Sequence, residues 1–313
     1  MEASEPACRR TLSLRRRALL SVLGMAAVTS VLVVVLAGRR GQFTAALHSL
    51  PVWLLVSAVL LQIVALLCRT EAWHVCVRAT GATVTRRILY RSAGVGYLAS
   101  VLNGSLGLAA RLTSLRRSAP DTSPRVPALL AAEVPIISVE VALAAIFSFT
   151  LVGAIGAPWW VPIIAVGLAL AAVFGLRRIS QRRRVGLWSG LAVMRSGRER
   201  MILLVLVSIC CQIARNYLVL RGIGAHITLL DAIALLIAMF TLGQLPIGPS
   251  LGAAATVLIL GAHGVATAAA AGVLLTVTAT CGSLGYAAWA VGDRLLAGQI
   301  VVNPESAVVS SPA

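Results

Sequence analysis

Two carboxylates at helical spacing are the first residues of this sequence that could do acid–base chemistry. Glu133 and Glu140 are seven residues apart in an apolar run, so on a helix they would share one face, about 10 Å apart along the axis. A general base must approach its substrate closely, usually in a water-filled cleft. A structural interpretation is also open, because either carboxylate could be the buried partner of Arg111 or Arg215, and Glu133 could lie at an interface beside Pro135.

Arg215 and Asn216 stand together inside the apolar run LVSICCQIARNYLVL. If this run crosses a membrane, an arginine facing lipid at its centre would cost about 2.5 kcal/mol or more, so such a residue is expected to have a function. A guanidinium and a neighbouring amide could together bind a phosphate group. The alternative is that Arg215 extends along the helix and places its charge among the headgroups.

The other reactive residue types form no catalytic or metal-binding pattern. The histidines at positions 48, 74, 226 and 263 are isolated, and the six cysteines include no C-x-x-C pair. We therefore predict no metal, no cofactor and no catalytic residue. The net charge of +17 comes from 27 arginines, which lie mostly between apolar runs and so orient the chain instead of binding nucleic acid.

The elements that must position these residues are membrane-spanning helices. Apolar residues make up 59% of the chain, charged residues only 12%, and the mean hydropathy is +0.93, which is typical of a polytopic membrane protein. We therefore expect an all-α fold. Six runs are long enough to span about 30 Å of hydrocarbon, namely 18–37, 51–68, 127–152, 158–176, 201–220 and 266–291.

Two further segments, 92–110 and 232–252, contain glycines and prolines that an ordinary span would lack. If both crossed the membrane, the arginines would be divided almost equally between its sides, contrary to the positive-inside rule. If both turn back, 23 arginines lie on the N-terminal side and three lie opposite. We therefore predict two re-entrant helical hairpins that enter from opposite faces. With their flanking spans they form an inverted repeat, an arrangement typical of transporters.

Four stretches also resemble a known family: CRTEAWHVCVRATG (68–81), LNGSLGLAAR (102–111), AAEVPIISVE (131–140) and LPIGPSLG (245–252). They are similar to the lysylphosphatidylglycerol synthase transmembrane, or flippase-like, family. The resemblance covers most of the chain from about 51 to 292 and implies a protein that holds or translocates lipids, alone or fused to an aminoacyl-transferring domain. Three positions where the family often has a charge are occupied here by Leu108, Val134 and Ala255.

The resemblance and the residues discussed above together define a predicted lipid-binding site. The glycines would let the hairpin backbone approach a headgroup, half-helix N-termini would supply partial positive charge, and the arginines would donate charge-assisted hydrogen bonds. The predicted site comprises Arg69, Asn103, Gly104, Gly107, Arg111, Glu133, Glu140, Arg215, Asn216, Pro246, Gly248, Pro249 and Gly252.

The sequence thus predicts a bacterial plasma-membrane protein that binds and translocates an amphiphilic, anionic lipid. We expect a basic cytoplasmic tail (1–17), a transmembrane domain (18–294) and a short, disordered cytoplasmic tail (295–313), too short for a synthase domain. Two alternatives stay open: a membrane-embedded transferase with a polyprenyl-phosphate donor and Glu133 or Glu140 as base, and a scaffold for a separate partner enzyme. A membrane lipid is the expected partner, and nucleic acid is not.

The predicted topology places both flanks of the first hairpin in the cytoplasm. Arg91→Cys and Arg117→Cys, each in a cysteine-free variant, should react with an impermeant thiol reagent only from the cytoplasmic side. Labelling of intact cells and of inverted vesicles measures this accessibility. Reaction of position 117 from outside, with position 91 reacting from inside, would contradict both the hairpin and the inverted repeat.

Overall fold

The computed structural model describes residues 51–101, 104–120, 122–156, 158–182, 197–224, 227–243 and 265–302, together with 191, 193, 256, 257 and 259. Within these residues every regular element is helical. The first expected span, 18–37, lies outside the described residues, as do the basic tail 1–17 and residues 303–313.

The described helices follow one another in the order α1 to α10. Their bounds are α1 Val52–Ala79, α2 Arg86–Ser100, α3 Gly104–Ser118, α4 Val126–Ala131, α5 Val134–Ile146, α6 Thr150–Ile155 after a 3-10 turn at Phe147–Phe149, α7 Trp160–Arg182, α8 Arg198–Gly222, α9 Leu229–Gly243 and α10 Val265–Val302.

Five helical segments are long and apolar enough to cross a bilayer: Val52–Ala79, Val126–Ala154, Trp160–Ile179, Arg198–Gly222 and Ala268–Leu295. They coincide with five of the six spans predicted from the sequence, so the chain is a polytopic membrane protein. Only 6% of the apolar window of α7 is buried inside the protein, and its large aliphatic side chains face outward. Hydrocarbon, unlike water, is a suitable environment for such a surface.

An antiparallel pair of long helices, α1 and α8, forms the centre of the molecule. Ser208 of α8 donates a hydrogen bond of 3.0 Å to the carbonyl of Ala65 near the middle of α1. Two apolar clusters hold the pair at its ends. The Leu54 cluster includes Leu54, Ala58, Val219, Leu220, Ala234, Leu235 and Leu275. The Trp73 cluster includes Trp73, Val77, Leu89, Leu112, Leu115, Leu129, Ile136, Met201 and Val205.

Helices α2 and α3 form an antiparallel hairpin at the Trp73 end of the α1–α8 pair. A Cβ atom added to Gly96 would lie 3.0 Å from the carbonyl oxygen of Gly107, and one added to Gly107 would lie 2.9 Å from that of Gly96. The two backbones therefore touch where only glycine leaves room. Each helix has 15 residues, or about 22 Å of length, which is shorter than the hydrocarbon layer.

Helix α9 lies at the other end of the pair, where Ala234, Leu235 and Ala238 join the Leu54 cluster. It is the first half of the second segment that the sequence marks as irregular. The second half of that segment, including Pro246, Gly248, Pro249 and Gly252, lies outside the described residues.

Helix α1 is longer than the predicted span 51–68 and ends only at Ala79. Hydropathy falls at residues 69–74, but Thr70, Glu71 and His74 are buried inside the protein. The Glu71 carboxylate accepts a hydrogen bond of 2.8 Å from the hydroxyl of Tyr90. Because these polar groups have partners within the protein, the helix continues where hydropathy predicts a loop.

Other boundaries also differ from the predicted ones. The span predicted at 127–152 is divided into α4, α5 and α6, and the first break falls at Glu133, just before Pro135 in the first turn of α5. Proline has no N–H to donate, so it fits the start of a helix and not its middle. Helix α10 continues to Val302 and includes residues 295–302, which the sequence assigned to the tail.

The Gly96–Gly107 contact makes the α2–α3 hairpin sensitive to added volume. Gly96→Leu should separate the two helices and lower the free energy of unfolding by about 1–3 kcal/mol or more, the usual effect of overpacking. Gly167→Leu is the control, since a Cβ there meets no atom within 4 Å. Thermal unfolding of both variants in detergent measures the difference, and equal melting temperatures would contradict the close packing.

Candidate functional site

A cavity of about 200 Å³ lies between α5, α8 and α9, with Arg69 reaching it from α1. Its polar lining comes from Arg69, Glu140, Gln212 and Arg215. The rest of its wall is apolar and is formed by Leu143, Ala144, Phe147, Ile209, Ile213, Ile233, Leu236, Ile237, Met239 and Phe240. The cavity thus combines a few charged groups with an extended hydrocarbon surface.

Arg69 and Glu140 form an ion pair in this cavity. The Nη1 of Arg69 donates to Oε1 of Glu140. The Glu140 side chain is 8% exposed, whereas that of Arg69 is 30% exposed. The other carboxylate oxygen, Oε2, is buried and has no donor among the described residues. The pair is neutral as a whole, and Arg69 is its more accessible member.

Arg215 is buried, with 4% of its surface exposed. Its Nη1 donates to the side-chain oxygen of Gln62 on α1, and its Nη2 donates to Oδ1 of Asn216 at 3.1 Å. Its Nε has no acceptor among the described residues. The alternative in which Arg215 extends to the headgroups is therefore wrong, because α1 supplies an amide acceptor inside the protein.

Gln62 can hold Arg215 only because α10 has a glycine opposite it. A Cβ atom on Gly282 would lie 2.5 Å from Cγ and 2.9 Å from Cβ of Gln62. Any larger residue at 282 would displace the amide that orients the guanidinium. Gln62 was not among the predicted site residues, although a polar residue inside the run VSAVLLQIVALL is the signal that could have found it.

Arg111 and Glu133 form a second ion pair, in the Trp73 cluster and away from the residues that line the cavity. Each has 6% of its surface exposed. The Arg111 guanidinium also lies over the Trp73 ring, 3.9 Å from the ring centroid, where a cation is attracted by the π-electrons. Glu133 is therefore the buried partner of Arg111, one of the two arginines that the sequence offered for it.

The two carboxylates at helical spacing thus bind different arginines. Glu133 at the start of α5 holds Arg111 of α3. Glu140, two helical turns further along α5, holds Arg69 of α1. Each arginine holds its carboxylate in the charged form, which is the form that a general base needs. Only Glu140 lines the cavity, and its Oε2 has no donor among the described residues.

Ionic contacts that the sequence did not predict tie α2 to its neighbours. Glu71 of α1 pairs with Arg86 of α2 at 2.9 Å and with Arg200 of α8 at 2.9 Å. Both arginines are more than half exposed, so these contacts lie at the surface of the Trp73 end. Three helices meet at one carboxylate, which limits how far α2 can move alone.

Asp293 of α10 makes the corresponding contact on the other side of α2. It accepts hydrogen bonds from Arg87, at 2.5–3.1 Å, and from Nε of Arg91 at 2.5 Å. The hydrogen bonds to Asp293 raise the pKa of the Arg87 guanidinium above its usual value. The hairpin α2–α3 is consequently held between α1, α8 and α10 by charge as well as by packing.

A comparison of the whole sequence with known families agrees with this arrangement of apolar helices. The profile of the family described as the lysylphosphatidylglycerol synthase TM region matches residues 19–288. The chain belongs to this family. The resemblance found in the four motifs is thereby confirmed. A search among individually curated proteins gave no match.

The structure brings only some of the predicted site residues together. Arg69, Glu140 and Arg215 line the cavity, and Asn216 is buried beside Arg215. Arg111 and Glu133 belong to the Trp73 cluster, Gly107 lies at the α2–α3 contact, and Gly104 is the first residue of α3. Asn103, Pro246, Gly248, Pro249 and Gly252 lie outside the described residues.

Two of the positions where the family often has a charge are structural in this chain. Leu108 is half-buried and packs against the Trp73 cluster, and Val134 is the first residue of α5. Ala255 lies outside the described residues. Among the described residues no group of three or more histidine, cysteine, aspartate or glutamate side chains could hold a metal ion.

The buried Arg111–Glu133 pair should respond to single and double substitution in opposite ways. Glu133→Gln leaves a buried guanidinium without its counter-charge and should lower the free energy of unfolding by about 3–5 kcal/mol, whereas Arg111→Met with Glu133→Gln should recover most of it. The exposed Glu199→Gln is the control. Melting temperatures in detergent test this, and a double variant as unstable as the single one would contradict the pairing.

Proposed function

We propose that this chain binds the headgroup of an amphiphilic, anionic lipid in the cavity between α5, α8 and α9 and translocates that lipid across the membrane. The observation that carries the proposal is Arg215, a buried guanidinium in an apolar span with neutral partners and one unused donor. A charged residue placed so deep in a span marks a ligand or ion site by default.

The composition of the cavity supports a lipid as the ligand. The guanidinium of Arg215 can bind phosphate oxygens through its planar fork of donors. The apolar wall on α5, α8 and α9 suits the part of the acyl chains that lies next to the headgroup. A volume of about 200 Å³ is small for an entire ligand of this size, so we assign the cavity to the headgroup and the neighbouring bilayer to the chains. The family name, which refers to a lipid, agrees with this.

The arrangement of the helices supports translocation. Helices α1 and α8 run antiparallel, α2–α3 lies at one end of this pair, and α9 lies at the other. This arrangement is expected for an inverted repeat. One half would consist of α1, the α2–α3 hairpin and α5. The other half would consist of α8, the irregular segment that begins with α9, and α10. In our proposal both hairpin segments are re-entrant, and residues 18–37 add the sixth span.

The distribution of charge supports an orientation. Arginines crowd the helix ends at the Trp73 cluster, among them Arg78, Arg86, Arg87, Arg91, Arg116, Arg117, Arg198 and Arg200, whereas Arg221 lies at the opposite end. The positive-inside rule then places the Trp73 end in the cytoplasm of a bacterial cell, together with both termini.

The two alternatives make different demands on the same residues. A transferase needs a base that reaches the substrate, and of the two carboxylates only Glu140, which Arg69 holds through Oε1, lines the cavity. A scaffold for a separate enzyme needs neither lipid binding nor lipid movement. Reconstitution with labelled lipid therefore separates the three functions, because a transferase alters the lipid, a translocator moves it unchanged, and a scaffold does neither.

Arg215 provides the main test of the proposed function. Arg215→Gln should reduce the anionic lipid retained by the purified protein by roughly tenfold or more, because a charge-assisted hydrogen bond contributes about 1.5–3 kcal/mol. Arg215→Lys should restore only part of it, since an ammonium lacks the planar fork. Native mass spectrometry and a lipid-movement assay in vesicles measure both effects.

The matched control for this test is Arg221→Gln, which removes an exposed arginine from the same helix. Arg221 donates a hydrogen bond of 2.8 Å to the hydroxyl of Tyr217 and does not line the cavity. Retention and movement should stay at the wild-type level. If Arg221→Gln and Arg215→Gln reduced lipid equally in folded protein, general surface attraction would explain the binding, and the cavity would lose its assigned role.

A further inference from the structure

We propose that the cavity selects a lipid whose headgroup carries one negative charge, a phosphodiester, over phosphomonoester, pyrophosphate and zwitterionic lipids. This inference deepens the function proposed above and rests on it. Its basis is the number of charges that the cavity contains, which can be counted from the structure and checked against the sequence.

The charged residues that line the cavity are Arg69, Glu140 and Arg215. Arg69 and Glu140 cancel each other in their ion pair. Within the part of the chain that the structure describes, Arg215 donates its hydrogen bonds to the neutral amides of Gln62 and Asn216 and forms no ion pair. An arginine side chain stays protonated inside a protein. The cavity therefore carries one net positive charge.

The sequence contains no other acid that could cancel this charge from within the spans. Between Glu140 and Glu199 there is no acidic residue, and the same is true between Asp231 and Asp293. Glu199 is exposed in the first turn of α8, about 24 Å along the helix from Arg215. Asp231 accepts hydrogen bonds from the backbone and hydroxyl of Thr228 at the start of α9.

The remaining acids either hold arginines or lie outside the apolar runs. Glu71, Glu133 and Asp293 each hold arginines of the Trp73 end. Four others lie outside the described residues: Glu2, Glu5, Asp121 and Glu305. Among the described residues no acid compensates Arg215, and a ligand with one negative charge would do so.

Burying a charge costs free energy, and hydrogen bonds together with an opposite charge of the same size offset that cost best. A phosphodiester carries one negative charge and leaves the occupied cavity neutral. A phosphomonoester carries nearly two negative charges above pH 7, so the occupied cavity would have an excess of about one negative charge. A pyrophosphate would give at least the same excess. A zwitterionic headgroup would leave the charge of Arg215 uncompensated.

The guanidinium of Arg215 also suits a phosphodiester. Arg215 lines the cavity, whereas Asn216 is not among its lining residues. The planar fork of an arginine can donate two parallel hydrogen bonds to the two non-bridging oxygens of a phosphate.

The test is a competition between lipids with the same acyl chains. The purified, delipidated full-length protein is mixed at pH 8 with equal amounts of phosphatidylglycerol, phosphatidic acid and phosphatidylcholine, which represent charges near −1, −2 and zero. Native mass spectrometry then reports the lipid that stays bound. We expect phosphatidylglycerol to exceed each of the others by roughly tenfold.

Charge-changing variants should move this preference in a fixed direction. Arg215→Gln makes the cavity neutral and should favour phosphatidylcholine, whereas Glu140→Gln gives it two positive charges and should favour phosphatidic acid. The double variant Arg69→Gln with Glu140→Gln retains one positive charge and should retain the wild-type order. Glu199→Gln raises the net charge of the protein by the same amount as Glu140→Gln does, but at an exposed position. It should not alter the order of preference among the three lipids.

The outcomes separate this inference from the proposed function. If phosphatidylglycerol and phosphatidic acid bind equally well and both exceed phosphatidylcholine, or if the preference ignores the variants, the count of one charge is overturned while binding of anionic lipid stands. If none of the three lipids is retained, the proposed function fails first. Displacement of bound lipid by glycerophosphoglycerol, which has no acyl chains, would show that a soluble phosphodiester is the ligand.

Discussion

A guanidinium keeps its charge wherever it is placed, so every arginine carried into an apolar core needs an acceptor there. Among the described residues three arginines are placed in this way: Arg69 on α1, which is half-buried, and Arg111 on α3 and Arg215 on α8, which are buried. Helix α5 supplies a carboxylate to the first two and thereby joins α1 and α3. Arg215 receives amide acceptors and no carboxylate, so its positive charge is not cancelled within the described residues. That charge is available to a ligand.

Close backbone contact and polar bonds must hold this bundle together, because burial in lipid gives helices little hydrophobic reason to associate. Glycines act at the places where helices meet most closely, as in the Gly96–Gly107 contact and at Gly282, which leaves space for Gln62. Asp293 adds charge to the packing of α2 against α10. The hairpin is therefore a packed unit of the fold and not a loop attached to its surface.

Hydropathy alone predicted the class of the fold and five described spans, because an uncharged run of about 20 apolar residues matches the thickness of a bilayer and is too long for most core helices of soluble proteins. Hydropathy missed the true end of α1, because polar residues there, such as Glu71, are buried against partners inside the protein. The candidate site was predicted in part, since Arg215 is conspicuous in its span. Which carboxylate holds which arginine depends on how helices distant in sequence pack, and no spacing in the sequence encodes the contact of Arg215 with Gln62.

A translocation site must bind its lipid and also release it. Arg111, Arg221 and Arg215 differ in how well their surroundings suit both steps. The charge of Arg111 is already compensated by Glu133, and its guanidinium lies over the Trp73 ring, so a phosphate would have to compete with that carboxylate. A surface arginine such as Arg221 is hydrated, and its attraction is screened by salt. Arg215 lies between these extremes, desolvated but held by neutral amides. A phosphate there gains about 1.5–3 kcal/mol from one charge-assisted bond, enough to select a headgroup and too little to retain it permanently.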